Sequence, residues 1–324
     1  MRSLITGAGG FAGSHLAECL LSGAGAEDEV WGCDLSGERR PYHPPALRLT
    51  AADLRSPHAA RDLIQHVRPD RIYHLAGQAF VGDSWSIPWE TIETNMRSQV
   101  NLLEAVAAAG LRPRILVVGS ADVYGRVAPE NLPIGEDCPL LPDSPYGVSK
   151  IGQDMLGVQY GLSHNLHIVR VRPFNHIGPR QNRRFVAPAF ASQIAAIEAG
   201  RQAPALKVGN LDARRDFTDV RDMVRAYVVA LEHGEAGSVY NVGSGRSRPI
   251  RELLDVLLGL AAVPITVEFE RARLRPVDVA DLVCDASRFR GRTAWAPRIP
   301  FEQSLRDLLD YERALLAGVP ARTA

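Results

Sequence analysis

The sequence predicts an α/β protein: a doubly wound parallel sheet with a smaller, interleaved C-terminal lobe. Three observations predict this class. Short β-rich runs alternate with helical patterns through the first half of the chain, a glycine-rich turn joins the first run to the first helix, and the alternation gives way after Arg172 to loops rich in proline and arginine. The 324 residues, of which 46% are hydrophobic, are enough to bury a large core.

Six strands and four helices are predicted in the first half of the chain. Strand–helix–strand alternation of this kind is typical of a parallel sheet, because each helix carries the chain back to the start of the next strand. The predicted strands cover residues 3–6, 30–34, 47–51, 72–76, 115–119 and 168–171, and the predicted helices cover residues 12–21, 57–67, 88–110 and 145–163.

The helix predicted over residues 145–163 has the most complete set of helix-forming sequence features. Ser144 can accept a hydrogen bond as its N-cap, and Pro145 suits the first helical position. An apolar stripe follows along one side of the helix: Ile151, Met155, Val158 and Leu162.

The second half of the chain is organised more loosely. A helix is predicted over residues 187–198, with short strands near Val208, Val239 and Val267. Because a segment such as 219–232 could return to the first sheet, the two lobes should interleave. We expect residues 1–172 to form the first domain, with returning segments near 219–243, and residues 173–324 to form most of the second domain.

Composition argues against several classes of function. Basic and acidic side chains number 37 each, so the formal net charge is zero, and neither nucleic acid nor a membrane surface is expected as a partner. Apolar runs stay well short of the ~18 residues that span a bilayer. The four cysteines lie far apart, which favours a reducing, cytoplasmic setting, and no metal site is predicted.

The turn after the first strand predicts a dinucleotide site of the Rossmann type. Gly7, Gly10 and Gly13 are three residues apart, where backbone N–H groups and the N-terminus of a helix, at Phe11 and Ala12, would meet a pyrophosphate. Asp34 ends the second strand 21 residues after Gly13. That spacing is close to the ~20 residues expected for a carboxylate that binds the adenosine ribose.

Further contacts with this cofactor are predicted where other strands end. These candidates are Asp53, Leu54, Leu75, Ala76 and Gly77. Asp34 favours NAD(H) because it would repel a 2′-phosphate, whereas Arg39 and Arg40 could accept one. The sequence therefore leaves NAD(H) and NADP(H) both open.

Tyr146 and Lys150 lie four residues apart at the start of a helix, so they project from one face. A phenol with an ordinary pKa of ~10 is a poor acid at neutral pH, but a neighbouring ammonium stabilises the phenolate. The chain has only two lysines, Lys150 and Lys207, against thirty-five arginines. The pair is therefore a candidate acid–base unit, and a solvent-facing ion pair is the alternative.

Ser120 and Asp122 follow the fifth strand, whose carboxyl end should open onto the same crevice. The Ser120 hydroxyl could donate a hydrogen bond to a substrate carbonyl. Asp122 could assist proton movement or bind the backbone of its own loop. Together with Tyr146 and Lys150, these side chains predict hydride transfer to or from a substrate carbon. The oxygen on that carbon would exchange a proton with Tyr146.

The glycine turn, Ser120 and the segment 146–150 (YGVSK) together resemble those of the extended short-chain dehydrogenase/reductases that act on nucleotide sugars. The likeness spans nearly the whole chain. The segments 172–181 (RPFNHIGPRQ) and 208–222 (VGNLDARRDFTDVRD) resemble the GDP-sugar branch, and within it the GDP-4-keto-6-deoxy-D-mannose reductases. The resemblance implies reduction of the C4 ketone of a GDP-linked 6-deoxy-4-keto-hexose, to GDP-D-rhamnose or to its C4 epimer GDP-6-deoxy-D-talose.

The resemblance also implies roles for residues of the second lobe. Asn175 should lie near the sugar phosphate, Arg215 and Arg275 on the pyrophosphate, and Lys207 close to the nucleotide pocket. The full set of implied substrate contacts is Ser120, Asn175, Arg180, Lys207, Arg215 and Arg275. Arginine suits this task because its planar fork grips phosphate oxygens in pairs.

Particular residues distinguish the reductase from two alternative functions. GDP-mannose 4,6-dehydratases resemble this chain, but they carry glutamate where it has Asp122, which favours the reductase. A dinucleotide-sensing regulator would not need Ser120, Tyr146 and Lys150 together. The resemblance further implies a homodimer, in which helices 88–110 and 145–163 pair with their symmetry mates as a four-helix bundle.

Overall fold

The computed structural model describes residues 1–273 and 279–318 of the chain. Its strands are β1 (Arg2–Thr6), β2 (Glu29–Asp34), β3 (Arg48–Ala51), β4 (Arg71–His74), β5 (Arg114–Val118), β6 (His167–Pro173), β7 (Asn175–Ile177), β8 (Ala205–Val208), β9 (Arg214–Asp219), β10 (Val239–Val242), β11 (Ser247–Pro249), β12 (Thr266–Phe269) and β13 (Asp281–Leu282). Its helices are α1 (Phe11–Ser22), α2 (Pro57–Val67), α3 (Val81–Ser86), α4 (Pro88–Ala108), α5 (Pro145–His164), α6 (Val186–Glu198), α7 (Val220–His233), α8 (Ile250–Gly259), α9 (Ser287–Thr293) and α10 (Phe301–Leu316).

The predicted doubly wound parallel sheet is confirmed. Seven parallel strands pair in the order β10-β6-β5-β4-β1-β2-β3. The chain runs outward from β1 to β3 and then crosses to β4 on the other side of β1. A crevice therefore opens at the carboxyl ends of β1 and β4, which is where open α/β sheets bind their ligands.

Successive residues of the central strands pack on opposite faces of this sheet, as the twofold repeat of a strand requires. Ile5 and Tyr73 face α1 and α7, whereas Leu4 and Ile72 face α2 and α4. All four side chains are fully buried. Both faces are thus covered by helices, which explains the continuous apolar run of β5, residues 115–118 (ILVV).

The second lobe is built around a separate apolar core formed by α6, α8 and α10 with β8 and β9. Its strands are short. β9 pairs with β7, β11 and β13, and β8 pairs with β12. Helices α8 and α10 and strand β9 were not among the predicted elements; β9 reads RRDFTD, and its charged residues hide the strand from a hydrophobicity pattern.

The two lobes are connected through more than one segment. From β9 the chain passes directly into α7, which packs against α1, and β10 then pairs with β6 at the edge of the large sheet. It leaves again through β11 and returns as α9, whose Phe289 is fully buried in the core shared with α7.

Helix α5 begins as predicted, but two residues of its predicted apolar stripe point away from the sheet. Met155 and Leu162 are 43% and 83% exposed. The buried face of α5 carries Ser149, Gln153 and Gly157, among other small and polar residues. Among the described residues, no helix combines the length and hydropathy needed to cross a membrane.

Candidate active site

The glycine turn between β1 and α1 leaves no room for side chains. Gly7 has φ +75°, and a Cβ there would lie 3.0 Å from the Ala76 nitrogen. A Cβ at Gly13 would lie 2.2 Å from the Gly7 carbonyl oxygen. Gly10 is the N-cap of α1, and the first N–H groups of a helix have no acceptor within it. The turn therefore offers a cradle for a pyrophosphate.

Asp34 lies beside this turn and keeps one acceptor atom available. Its Oδ1 accepts hydrogen bonds from the backbone N–H groups of Ser36 and Gly37, at 3.1 and 2.6 Å. Its Oδ2 is buried, has no hydrogen-bond partner among the described residues, and lies 2.2 Å from where a Cβ of Gly9 would stand. That oxygen is placed to accept a ribose hydroxyl, and together with the glycine cradle it fits a dinucleotide.

The two arginines that could accept a 2′-phosphate are held differently. The Arg39 guanidinium donates to the backbone carbonyls of Pro44 and Leu47 at 2.8 and 2.6 Å, so it is turned into its own loop. The Arg40 Nε lies 3.4 Å from the position of a Gly9 Cβ, next to Asp34. Arg40 is thus the one of these two arginines that faces the cofactor turn.

A cavity of about 600 Å³ joins the glycine turn to the carboxyl ends of β4 and β5 and the start of α5. It contains most of the predicted site residues: Gly7, Gly10, Phe11, Ala12, Gly13, Leu75, Ala76, Gly77, Ser120, Asp122, Tyr146, Lys150, Asn175 and Arg215. The predicted acid–base unit and the predicted cofactor turn therefore share one cavity.

Tyr146 and Lys150 are both buried, each about 7% exposed. The Lys150 ammonium donates to the Val118 carbonyl at 3.1 Å and lies 5.7 Å from the centre of the Tyr146 ring. Burial lowers the pKa of Lys150 to about 8, and the Asp122 carboxylate opposes that shift. Burial, and then Asp122, raise the pKa of Tyr146 well above its usual value, so its phenol is protonated at neutral pH.

Ser120 and Asp122 form a hydrogen-bonded pair beside Tyr146. The Ser120 hydroxyl donates to Asp122 Oδ2 at 2.7 Å, and the Asp122 backbone N–H donates to Ser120 Oγ at 3.1 Å. Both contacts arise because Ser120 caps a 3-10 turn at residues 121–123, directly after β5. The Asp122 carboxylate is therefore held by the Ser120 hydroxyl, and its role in proton movement stays a prediction.

Asp143 also lines the cavity, although its sequence context did not predict it as a site residue. Its Oδ2 is buried without a hydrogen-bond partner among the described residues. Burial and the nearby Asp122 raise its pKa. The only signal in the sequence is its position three residues before Tyr146, which by itself marks an ordinary loop residue.

A second cavity of about 210 Å³ continues from the first into the second lobe. Asn175 and Arg215 line both cavities, and Asn210 and Arg273 line the second. Arg215 Nη1 donates to the carbonyl oxygens of Arg214 and Val279, at 2.7 and 2.6 Å, which fixes its direction. The predicted residue Arg275 lies outside the described residues.

Two of the predicted substrate contacts, Lys207 and Arg180, are not brought to this site, because neither lines either of the two cavities. Lys207 is on the outward face of β8, where its ammonium pairs with Glu270 at 3.2 Å and is 52% exposed. Its neighbours Leu206 and Val208 take the inward positions of the strand. Arg180 points back to α1, where its guanidinium pairs with Glu18 at 2.6 Å.

The predicted cofactor contacts Asp34, Asp53 and Leu54 do not line the large cavity either. The Asp53 carboxylate pairs with Arg55 at 2.8 Å on the surface. Leu54 is buried, and its carbonyl accepts a hydrogen bond from Asn101 at 2.8 Å. In the described part of the chain, no group of three or more histidine, cysteine and acidic side chains could hold a metal ion.

Comparison with known proteins agrees with this geometry. The model of the GDP-mannose 4,6 dehydratase family matches residues 4–308. GDP-6-deoxy-D-mannose reductase of Pseudomonas aeruginosa is 38% identical over 315 residues, which cover 96% of this chain and 97% of that protein. GDP-mannose 4,6 dehydratase 2 of Arabidopsis thaliana is 30% identical over 332 residues, covering 97% of this chain and 87% of that protein.

A solved structure is similar over the same extent. The structure of RMD from Pseudomonas aeruginosa complexed with NADPH superposes with a TM-score of 0.85 at 37% identity, covering 97% of this chain and 99% of that one. Taken with the shared cavity of glycine turn, tyrosine and lysine, these matches show that the chain belongs to the GDP-mannose 4,6-dehydratase family of extended short-chain dehydrogenase/reductases, NAD(P)-dependent enzymes that act on nucleotide sugars.

Proposed function

We propose that the protein reduces the C4 ketone of GDP-4-keto-6-deoxy-D-mannose to a hydroxyl, with NADPH or NADH as the hydride donor. The observation that carries this proposal is the single cavity in which Tyr146, Lys150 and Ser120 face the glycine turn. The second cavity, with Arg215 at its junction, supports a nucleotide diphosphate there. The Pseudomonas aeruginosa relative is named for the same reaction class.

In this mechanism the cofactor would be held by the Gly7–Gly13 turn and by Asp34 Oδ2, and when bound it supplies a hydride to C4. Tyr146 gives its phenolic proton to the C4 oxygen as that carbon is reduced, and it is left as a phenolate. Lys150 stabilises the phenolate because its ammonium lies beneath the ring. The phenolate then regains a proton from solvent.

Ser120 and Asp122 orient the carbonyl in this proposal. The Ser120 hydroxyl is positioned next to Tyr146 and can turn from Asp122 to the substrate oxygen. Asp122 is already engaged with Ser120, and it is one methylene shorter than the glutamate of the dehydratases. Dehydration needs a base that removes the C5 proton, and Asp122 is poorly placed for that step. This favours the reductase over a GDP-mannose 4,6-dehydratase.

The proposal is tested by offering two substrates separately. With GDP-4-keto-6-deoxymannose, we expect loss of reduced cofactor in equal amount to a new sugar, identified by NMR as GDP-D-rhamnose or GDP-6-deoxy-D-talose. With GDP-mannose and oxidised cofactor, we expect no product. A 4-keto sugar formed from GDP-mannose would instead assign the protein as a dehydratase.

The proton donor is tested with Tyr146→Phe. We expect turnover to fall roughly 10²–10⁴-fold, because general acid catalysis is lost, while cofactor binding is kept. Tyr160→Phe is the matched control, since Tyr160 is on the same helix but bonds to Glu104 outside the cavity. Unchanged turnover in Tyr146→Phe would exclude Tyr146 as the donor.

We further propose that each lobe binds a different ligand. Residues 1–172 with the segments near 219–243 would hold the dinucleotide, and residues 173–324 would hold most of the GDP-sugar, with Asn175, Arg215 and Arg275 on the sugar and its diphosphate. Asn175 and Arg215 support this division because they lie where the two cavities meet. A cytoplasmic location is part of the proposal, supported by four cysteines that are all free.

We also propose a homodimer that pairs α4 and α5 with their symmetry mates as a four-helix bundle. The support is the outward apolar face of these helices. On α5, Val148, Met155 and Leu162 are seven residues apart and 43% or more exposed, and Trp89 on α4 is 73% exposed. Apolar side chains at this spacing share one helix face, which a symmetric partner would cover.

A further inference from the structure

The loop of residues 175–181, called here the substrate loop, links the two ligand cavities. Asn175, His176 and Gln181 line both cavities. Gln181 Nε2 donates to the His176 carbonyl at 3.0 Å, which closes the loop on itself. The position of this loop therefore sets the shape of the passage between the cofactor and the second lobe.

The substrate loop is attached to the helix that begins at the cofactor turn. His15 on α1 lies 3.0 Å, through Nε2, from the Pro179 carbonyl oxygen. The ring of Phe11, the first residue of α1, stacks on His176 with centroids 5.6 Å apart and planes within 6°. Both contacts connect the first turns of α1 to the substrate loop.

Arg180 is the centre of this attachment. Its side chain is only 3% exposed, and its guanidinium donates to Ser14 Oγ at 3.1 Å and to Glu18 Oε1 at 2.6 Å. The same guanidinium lies over the ring of Tyr42, 5.1 Å from its centre. The Tyr42 hydroxyl donates to the Gly9 carbonyl at 3.1 Å, so Arg180 reaches the glycine turn from two sides.

The backbone at Arg180 shows that these contacts hold the loop in a conformation it would not adopt by itself. Its φ is +72°, in the left-handed region that side chains other than glycine disfavour. Such a conformation persists when surrounding contacts over-determine it. The buried guanidinium and its two hydrogen-bond partners supply those contacts.

We infer that Arg180 is a positioning residue that couples cofactor binding at the glycine turn to the conformation of the substrate loop. A dinucleotide that orders Gly9 and the start of α1 orders Tyr42, Ser14 and, through Arg180, the loop of residues 175–181. By linkage, a ligand that orders the loop strengthens cofactor binding by the same factor. The inference rests on the proposed function only for the identity of that second ligand.

The test is hydrogen–deuterium exchange of the amides of residues 175–181, with NADPH as the only ligand. In the wild-type enzyme, NADPH should slow exchange of these amides about fivefold or more, the lower end of common allosteric couplings. In Arg180→Met the slowing should fall below about twofold, although NADPH still binds. No slowing in the wild type, or equal slowing in both proteins, would overturn the inference.

Two further variants separate coupling from general damage to the fold. Arg183→Met removes an arginine close by in sequence, but one that pairs with Glu312 on α10, so NADPH should still slow exchange in the substrate loop. Glu18→Gln keeps Arg180 and removes its charged partner, and it should weaken the coupling in the same direction as Arg180→Met. Thermal melting reports whether each variant is folded, and Glu18→Gln decides the outcome should Arg180→Met not fold.

Steady-state kinetics supply a second readout. Arg180→Met should raise KM for the nucleotide sugar more than it lowers kcat, because the chemistry at Tyr146 is untouched. Equal effects on the two constants would indicate a merely structural role. Since the exchange experiment needs only the cofactor, a failure of the wild type to reduce GDP-4-keto-6-deoxymannose would reject the proposed function and leave the coupling test intact.

Discussion

Lys150 is the residue whose protonation should set the pH dependence of the reaction. Burial lowers its pKa to about 8, while the pKa of Tyr146 is raised. As the pH rises through about 8, Lys150 loses its charge and no longer stabilises the Tyr146 phenolate, so kcat/KM for reduction should fall. A pH profile between 6 and 10 measures this.

The two lysines of the chain provide the control. Lys150→Arg keeps a positive charge at every pH of the profile, so the fall near pH 8 should disappear even though overall activity is lower. Lys207, the other lysine, is exposed and lies outside both cavities. Lys207→Arg should therefore leave the pH profile as in the wild type. A wild-type profile that stays flat through pH 8 would contradict the assignment of Lys150.

Tyr146, Lys150 and the glycine turn could be predicted because their spacing along the chain is also their spacing in space. A separation of four residues on a helix places two side chains on one face, and no distant segment can change that. The side-chain directions of Arg180, Lys207 and Asp143 could not be predicted in this way. The direction of each depends on which remote element packs beside it: α1 for Arg180, the paired strands β8 and β12 for Lys207, and the 3-10 turn with Asp122 for Asp143.

At the scale of single elements, the N-terminus of α5 connects helix stability to catalysis. Ser144 Oγ accepts a hydrogen bond from the Gly147 N–H at 3.1 Å, inside the turn that carries Tyr146. Ser144→Ala should lower the free energy of unfolding by about 1 kcal/mol. It should also reduce kcat, because the first turn no longer holds the phenol in place.

The matched control is Ser56→Ala. Ser56 caps α2 in the same way, with its hydroxyl accepting from Ala59 N–H at 3.4 Å, and no residue of this cap or helix lines the cavity that holds the acid–base pair. We expect a comparable or smaller loss of stability, measured by urea denaturation, with unchanged kcat. If both variants lost the same share of kcat, the cap of α5 would have no special role in catalysis.

The same helix shows where a sequence pattern misleads. An amphipathic stripe normally marks the buried face, yet Met155 and Leu162 point outward while Gln153 and Asp154 are buried. Asp154 is buried because Arg170 and Arg172 on β6 bond to it, and Arg172 Nε does so at 2.7 Å. Hydrophobic periodicity locates such a helix correctly, but it cannot reveal that the buried face is held by an ion-pair network.

At the scale of the whole molecule, the outward face of α4 and α5 predicts the oligomeric state. The double variant Met155→Glu/Leu162→Glu should convert a dimer into monomers, because charges would be buried in the symmetric interface. Size-exclusion chromatography with light scattering measures the mass. Leu315→Glu, at a site 45% exposed on α10, is the control and should remain dimeric. A wild-type protein that is monomeric at micromolar concentration would refute the bundle.

The large sheet could be predicted because most of its strands are followed directly in sequence by a crossover helix, so local patterns carry the topology. The second lobe could not be predicted in the same detail. β9 pairs with β7, β11 and β13, which come from three separate parts of the chain, and its buried Asp216 bonds to the backbone of Ser244 and Gly245. Pairings at such long range leave little trace in any one stretch of sequence.

The repeated passage of the chain between the lobes has a mechanical consequence. A protein whose halves are joined by one linker can swing them together about that hinge, but here α7, β10 and α9 of the C-terminal half are built into the body of the first lobe. Rotation of one lobe against the other would have to break several packed segments at once. Adaptation to ligands of different size is therefore expected in loops at the cleft mouth, and a chain truncated at residue 172 would have a sheet that lacks its edge strand β10 and the covering helices α7 and α9.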